Sequence, residues 1–175
     1  MNNTSPLHAS NGSAYQYVCN IETPRYSLNG SYSVFLFMRD PTSEEPTSWS
    51  FDKNLIGPYG VLAQTDMIMS NITVAGSIPL TRKLTEEVSR GTLEDLSNEK
   101  VESHLKQNLK WRVAGPQGQS IIPDTIPGFK LGVYGTTTEL CNFDELPNSS
   151  GFVHLEGATS GESRSLSGSS HQAQC

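Results

Sequence analysis

The stretch SYSVFLFM, residues 31–38, decides the fold class that we predict for this chain. In an extended strand, successive side chains point to opposite faces of the sheet. One face then carries Tyr32, Val34, Leu36 and Met38, and the other face carries Phe35 and Phe37. Apolar side chains on both faces are typical of a strand that is covered on each side. We therefore predict a central strand of a β-sandwich.

Further strand patterns lie on both sides of this stretch. They cover residues 15–21, 61–63, 68–80 (as one or two strands with a break at Gly76), 110–113, 121–122, 129–134 and 152–155. Asn29-Gly30, just before the central strand, is a hairpin signal. Residues 54–60 contain Gly57, Pro58 and Gly60, so we predict a turn region there.

Two short helical patterns interrupt the strands. The first covers residues 82–90, with Thr81 as the expected N-cap and Gly91 at its end. The second opens near Ser97 and repeats Val101, Leu105 and Leu109 at helical spacing. About seven strands with two inserted helices predict an all-β fold, a sandwich of immunoglobulin-like or jelly-roll type.

The composition predicts one domain with two tails. Residues 1–13 and 157–175 are polar and rich in Ser, Gly and Asn, so we expect both to be disordered and the domain to cover residues 14–156. The net charge is −6 without a basic cluster, which argues against nucleic acid and anionic membranes as partners. No signal peptide or transmembrane segment is recognisable, so we expect an intracellular protein.

The cysteines and sequons support no disulfide framework and no glycan. Cys19 is expected to be a buried small side chain, although a bridge from Cys19 to Cys141 stays open, and Cys175 lies in the expected tail. Without a signal peptide, the Asn-x-Ser/Thr sequons are interpreted as loop segments. They include the sequons that start at Asn3, Asn11, Asn29, Asn71 and Asn148.

No group of residues in the sequence predicts catalysis or metal binding. The four histidines are too few for a paired-copper site, and no pair has the spacing that places two imidazoles on one helical face. We expect His104 to be a solvated helix residue, and Glu86 and Glu87 to be solvated charges. Phosphate loops, nucleophile elbows and zinc motifs are absent. We therefore expect no cofactor and lean against an enzyme.

A series of segments, in order along the chain, carries a family resemblance. They are residues 15–21, 28–37 (LNGSYSVFLF), Trp49 with 54–62 (NLIGPYGVL), 76–81 (GSIPLT), 108–113 (NLKWRV) and 126–133 (IPGFKLGV). Together they resemble the C-terminal domain of fungal tyrosinases. We expect a stand-alone copy of that domain, without the copper-binding catalytic domain.

The resemblance implies a β-sandwich that lies over a two-copper site. In that family a bulky side chain from a loop enters the site and keeps the enzyme latent until proteolysis. By position, Tyr59, Leu62 and Met67 are the candidates for this plug. Some members carry a Cys-x-x-Cys that is thought to deliver copper, whereas the corresponding residues 63–71 contain no cysteine.

Three functions follow as hypotheses. The first is a non-catalytic domain that shields or assists a separate type 3 copper monooxygenase, in a latency or chaperone-like role. The second is a free-standing small-molecule binding protein, or an enzyme that acts by positioning, in a fungal secondary-metabolite pathway. Its apolar patch would be formed by Phe35, Tyr59, Met67 and Met69. The third is a fragment of a split tyrosinase gene.

Overall fold

The computed structural model describes residues 6–9, 11–63, 72–139 and 149–160. Within them, eight strands form two four-stranded antiparallel sheets. The strands are β1 (Ala14–Pro24), β2 (Tyr32–Met38), β3 (Leu55–Val61), β4 (Thr73–Pro79), β5 (Leu109–Ala114), β6 (Ser120–Ile121), β7 (Lys130–Thr138) and β8 (Val153–His154). Two helices, α1 (Thr81–Ser89) and α2 (Asn98–Asn108), lie between β4 and β5.

The prediction of a β-rich fold with two inserted helices is confirmed, with eight strands in the described residues instead of about seven. The first sheet has the order β4-β1-β7-β8 and the second has the order β3-β2-β5-β6. The immunoglobulin-like or jelly-roll type stays a prediction, as do the boundaries of the domain and its tails.

Strand β2 is central in the second sheet, as its sequence predicts, because it pairs with both β3 and β5. Val34 and Leu36 are fully buried in the main core, which also contains side chains of the first sheet. Phe35 and Phe37 belong to a separate cluster with Trp49. Both faces of the strand are therefore covered, each by different partners.

The cluster on the second face of β2 is aromatic. Trp49 lies in a 3₁₀ helix, Pro46–Phe51, and its ring meets those of Phe35 and Phe37 edge-on at 5.7 and 6.2 Å between centroids. Edge-to-face rings gain electrostatic attraction beyond their buried area. The Trp49 Nε1–H donates to the Ser43 carbonyl at 2.9 Å, so the loop that covers β2 is fixed to its own backbone.

The predicted hairpin at Asn29-Gly30 is wrong. Strands β1 and β2 belong to different sheets, so the segment between them crosses from one sheet to the other. The sequence signal reports the backbone conformation correctly, because Asn29 has a φ of 54°, which Asn tolerates better than most residues. Conformation at a turn does not determine which strands pair.

The predicted turn at residues 54–60 is also wrong, because these residues form most of strand β3. Pro58 has no N–H to donate, and a sheet accepts proline at an edge. Strand β3 is such an edge, since among the described strands only β2 pairs with it. Residues 64–71 lie outside the described ranges, and after them β4 runs through Gly76 as one strand without a break.

Thr81 does not cap helix α1 as predicted, because Leu80 occupies the N-cap position. The Thr81 hydroxyl instead accepts a hydrogen bond from the backbone N–H of Tyr17 at 2.9 Å. Helix α1 is thereby attached to strand β1. Helix α2 follows its predicted pattern at Val101 and Leu105, which are fully buried, whereas Leu109 already belongs to strand β5.

Glu87 corrects the expectation of a solvated charge, because its side chain is 0 % exposed. It follows Leu84 by three positions on α1 and therefore lies on the same buried face. Arg39, just after β2, donates from both terminal nitrogens to the two carboxylate oxygens of Glu87, and Thr92 Oγ1 donates to Oε2 at 2.7 Å. The buried charge thus ties α1 to the end of β2.

His104 was expected to be solvated and is instead 9 % exposed in its side chain. Its Nε2 lies 3.5 Å from Glu87 Oε2, within reach of an ion pair, but it makes no hydrogen bond with the described residues. Burial lowers the pKa of His104, while Glu87 acts in the opposite direction and Arg39 adds to the decrease. The imidazole is therefore neutral near pH 7.

Glu87 stays ionised in this environment. Burial acts to raise the pKa of Glu87, but hydrogen bonds from Thr92 and Arg39, together with the charge of Arg39, outweigh burial and lower it. Arg90 lies 3.6 Å from Glu87 Oε1 and adds a further positive charge on α1.

We expect Glu87→Gln to lower the free energy of unfolding by about 2 kcal/mol, because it removes the charged acceptor that Arg39 and Thr92 share. Urea unfolding measures this change. Glu86→Gln is the matched control, with an expected change of about 0.5 kcal/mol or less, since the Glu86 side chain is 38 % exposed and its ion pairs are 3.5 Å long. Equal effects of the two substitutions would show that the hydrogen bonds around Glu87 do not contribute to the free energy of unfolding.

We expect the free energy of unfolding to fall as the pH decreases below about 6.5, the ordinary pKa of histidine. The unfolded chain then binds a proton at His104 that the folded protein does not bind, so acid favours unfolding. Glu87, whose pKa is lowered, stabilises the fold above its ordinary pKa of 4.5 and loses that effect at lower pH.

Urea unfolding at several pH values between about 7.5 and 5.5 measures the histidine contribution. The His104→Leu variant should lose most of the pH dependence in that interval, because leucine is similar in size and carries no titrating group. An unchanged pH dependence in this variant would assign the effect to another group.

Candidate docking site

Arg25 joins two chain segments at one end of the sheets. It lies just after β1, and its backbone N–H donates to the Ile72 carbonyl at 2.8 Å. Its side-chain Nε–H donates to the Leu62 carbonyl at 2.6 Å. Leu62 directly follows β3 and Ile72 directly precedes β4. One arginine therefore holds the end of one edge strand beside the start of another.

Ser31 fixes the same end of β3 from the segment that enters β2. The backbone N–H of Ala63 donates to Ser31 Oγ at 3.0 Å, and the Ser31 hydroxyl lies 3.4 Å from the Ala63 carbonyl as a donor. We call Arg25, Ser31, Leu62, Ala63 and Ile72 the docking tip. Four hydrogen bonds from the β1–β2 crossover determine its backbone.

The docking tip presents apolar side chains to solvent. Leu62 is 74 % exposed and Ile72 is 36 % exposed. A single exposed leucine is common on protein surfaces and needs no explanation. Here two apolar side chains stand on a backbone that is already fixed, so burying them would cost little further backbone ordering.

Tyr59, another of the predicted plug residues, faces the interior of the described fold. It pairs with Val34 across the sheet and packs against the main core. A Cβ atom placed on Gly76 of β4 would lie 2.0 Å from Tyr59 Cε2. The tyrosine ring therefore occupies the space that glycine leaves open, and it joins β3 of one sheet to β4 of the other.

Leu62 is the one predicted plug residue that the structure places in solvent. Met67 and Met69 lie outside the described residues, in the segment that follows Leu62 and Ala63. Phe35 is 7 % exposed and belongs to the aromatic cluster, whereas Tyr59 is partly buried and packs against the main core on the opposite face of the sheet. Phe35 and Tyr59 therefore do not share one apolar surface.

The described residues contain no group of three or more His, Cys, Asp or Glu that could hold a metal ion. The imidazole ring of His154 stacks on the ring of Tyr134, with 4.7 Å between the ring centroids. Cys19 is fully buried, as expected, and burial raises the pKa of its thiol. Cys141 lies outside the described residues, so the open Cys19–Cys141 bridge stays a hypothesis.

No helix in the described ranges is long and apolar enough to cross a membrane.

The role of Arg25 at the docking tip was missed by the sequence analysis. Arg25 donates to the backbone carbonyls of Leu62 and Ile72. Because every residue has a backbone carbonyl, the amino-acid sequence does not show which ones accept these hydrogen bonds. The only local signal is the turn after Pro24. The exposure of Leu62 could not be inferred either, because an apolar residue next to a strand is equally compatible with core packing.

We expect Gly76→Ala to lower the free energy of unfolding by about 1–3 kcal/mol, because the added methyl group collides with the Tyr59 ring. Urea unfolding measures the loss. Gly60→Ala is the matched control on β3: a Cβ there meets nothing within 4 Å, so a change of about 0.5 kcal/mol or less is expected. If Gly76→Ala lowers the free energy of unfolding no more than Gly60→Ala does, the position of the Tyr59 ring does not require glycine at residue 76.

The chain matches known proteins along most of its described length. The family model of the tyrosinase C-terminal domain matches residues 16–133. A tyrosinase of Neurospora crassa is 27 % identical over 137 residues, which are 73 % of this chain and 20 % of that protein. This chain therefore spans about a fifth of that relative's length.

Solved structures share the fold. A recombinant mushroom tyrosinase superimposes with a TM-score of 0.59 at 16 % identity, over 81 % of this chain and 24 % of the other. A crystal structure containing latent and active mushroom tyrosinase gives a TM-score of 0.57 at 16 % identity, over 81 % and 25 % of the two chains. With the family model matching well over half of its residues, this chain belongs to the tyrosinase C-terminal domain family.

Proposed function

We propose that this chain is a non-catalytic domain that docks on a type 3 copper monooxygenase and shields or assists it. The observation that carries the proposal is the docking tip, where Leu62 is 74 % exposed on a backbone held by Arg25 and Ser31. Membership of the tyrosinase C-terminal domain family supports the class of partner.

Leu62 is the residue that we expect to enter the partner's copper pocket. An apolar side chain in the mouth of such a pocket excludes a phenolic substrate and water without any chemistry of its own. Ile72, beside it, adds apolar area at the rim. Arg25 and Ser31 are positioning residues, because they act through the backbone of Leu62 and Ala63.

The expected contribution of Leu62 to affinity follows from its size. Burying a leucine side chain stabilises a complex by about 1.5–3 kcal/mol, and truncation to alanine removes most of that gain. Since about 1.4 kcal/mol corresponds to a tenfold change in affinity, Leu62→Ala should weaken binding about tenfold.

The alternative of a small-molecule binding protein receives less support from the described residues. Its proposed patch included Phe35 and Tyr59, which lie on opposite faces of one sheet. Its other two members, Met67 and Met69, lie outside the described residues. The docking tip needs neither a cavity nor a catalytic group, and it therefore fits the shielding function better.

We expect this chain to inhibit a copper-loaded tyrosinase that lacks its own C-terminal domain. The Neurospora crassa enzyme without the segment that aligns with this chain is a suitable test protein. The assay measures oxidation of a phenol at increasing concentrations of the chain. Inhibition should require about tenfold more of the Leu62→Ala variant than of the wild type.

Ile122→Ala is the matched control, because Ile122 is an apolar residue that is 67 % exposed and directly follows β6, at the opposite edge of the sheet from β3. This variant should inhibit like the wild type. An absence of inhibition by the wild type would contradict the shielding function. Equal weakening by Leu62→Ala and Ile122→Ala would contradict the assignment of the docking tip.

A further inference from the structure

The described residues contain two Asn-Gly pairs, Asn11-Gly12 and Asn29-Gly30. In such a pair the glycine nitrogen can attack the asparagine side-chain carbonyl carbon, because no side chain on the glycine hinders the approach. The reaction needs the asparagine amide and the glycine N–H to be free to move. Hydrogen bonds to either group should therefore slow it.

Neither reacting group at Asn29-Gly30 is hydrogen-bonded within the described part of the chain. Asn29 is exposed, and neither its side-chain amide nor the Gly30 N–H makes a hydrogen bond to the described residues. The φ of 54° places Asn29 in the left-handed region, where non-glycine residues are held at some cost in energy.

Both reacting groups are engaged at Asn11-Gly12. Asn11 Oδ1 accepts a hydrogen bond from the Ser13 N–H at 3.1 Å. The Gly12 N–H donates to the Ala9 carbonyl at 2.8 Å. The attack at Asn11 must break both bonds, whereas the attack at Asn29 breaks neither, and two ordinary hydrogen bonds correspond to a rate difference of about tenfold or more.

We propose that Asn29 is a deamidation site and that its conversion loosens the docking tip. The Gly30 nitrogen forms a bond to the Asn29 side-chain carbonyl carbon, the C–N bond to the amide group breaks, and ammonia leaves with the proton of the Gly30 nitrogen. Water then opens the resulting succinimide at either carbonyl. The products are aspartate or isoaspartate, each with one new negative charge.

The isoaspartate product changes the backbone next to the docking tip. Its main chain passes through the former side chain, so one methylene group is added between Asn29 and Gly30. Gly30 cannot absorb the change by moving toward Pro116, since a Cβ on Gly30 would already lie 2.7 Å from Pro116 Cβ. We expect the displacement to reach Ser31, the next residue, whose hydroxyl accepts a hydrogen bond from the Ala63 N–H.

Peptide mapping by mass spectrometry tests the chemical step. The full chain, made in bacteria, is incubated at mildly alkaline pH, and conversion at Asn29 and Asn11 is followed in the same sample. We expect Asn29 to convert about tenfold faster in the folded protein, and the two sites to converge in denaturant. Equal rates in the folded protein, or faster conversion at Asn11, would overturn the proposal.

Hydrogen exchange at the Ala63 amide tests the structural consequence. Exchange should become faster in aged wild type and stay constant in aged Asn29→Gly, because glycine accepts the positive φ and has no amide to lose. Gly30→Ala is unsuitable as a control because of the contact with Pro116. Unchanged exchange in fully converted wild type would refute the loosening.

The effect on docking rests on the proposed function, whereas the two measurements above need no copper protein. If the wild type does not inhibit the tyrosinase but Asn29 converts and Ala63 loosens, only the proposed function fails. If inhibition is observed but aged wild type inhibits as strongly as fresh protein despite full conversion, the link from Asn29 to docking is wrong.

Discussion

Strand β2 imposes the main constraint on this structure, because it is apolar on both faces and both must be removed from water. At about 25 cal/mol per Å² of apolar surface, large side chains left exposed on either face would favour unfolding strongly. One face is covered by the main core, to which the first sheet contributes, and the other by the loop that carries Trp49. The aromatic cluster removes Phe35 and Phe37, on the second face of β2, from contact with water.

Arg25 links the organisation of the fold to the candidate site. Because β1 and β2 belong to different sheets, the segment between them crosses from one sheet to the other. It passes the end of β3 and the start of β4, and there it donates hydrogen bonds to both. The position of the docking tip therefore follows from the sheet order. The same crossover segment that connects the two sheets also holds the backbone of the exposed Leu62.

The ion pair between Arg39 and Glu87 positions helix α1 against the second sheet. Glu87 and Arg39 connect α1 to the end of β2, and Arg39 has a φ of 82°, unusual for a residue with a side chain. The strained backbone places the guanidinium where it meets the buried carboxylate. Such a pair is weak evidence for stability by itself, because desolvation opposes the attraction, but it determines where the helix lies against the sheet.

The residue pattern alone determined the strand identity of β2, the helical pattern of α2 and the family resemblance, since each depends on side chains close together in sequence. It also indicated the conformation at Asn29. Tertiary structure alone decided that β1 and β2 occupy different sheets, that Glu87 and His104 are buried, and that Leu62 is exposed while Tyr59 is not. These outcomes depend on which surfaces meet after the chain has crossed between sheets, and contacts between residues far apart in sequence, such as Tyr59 with Gly76, leave no local pattern.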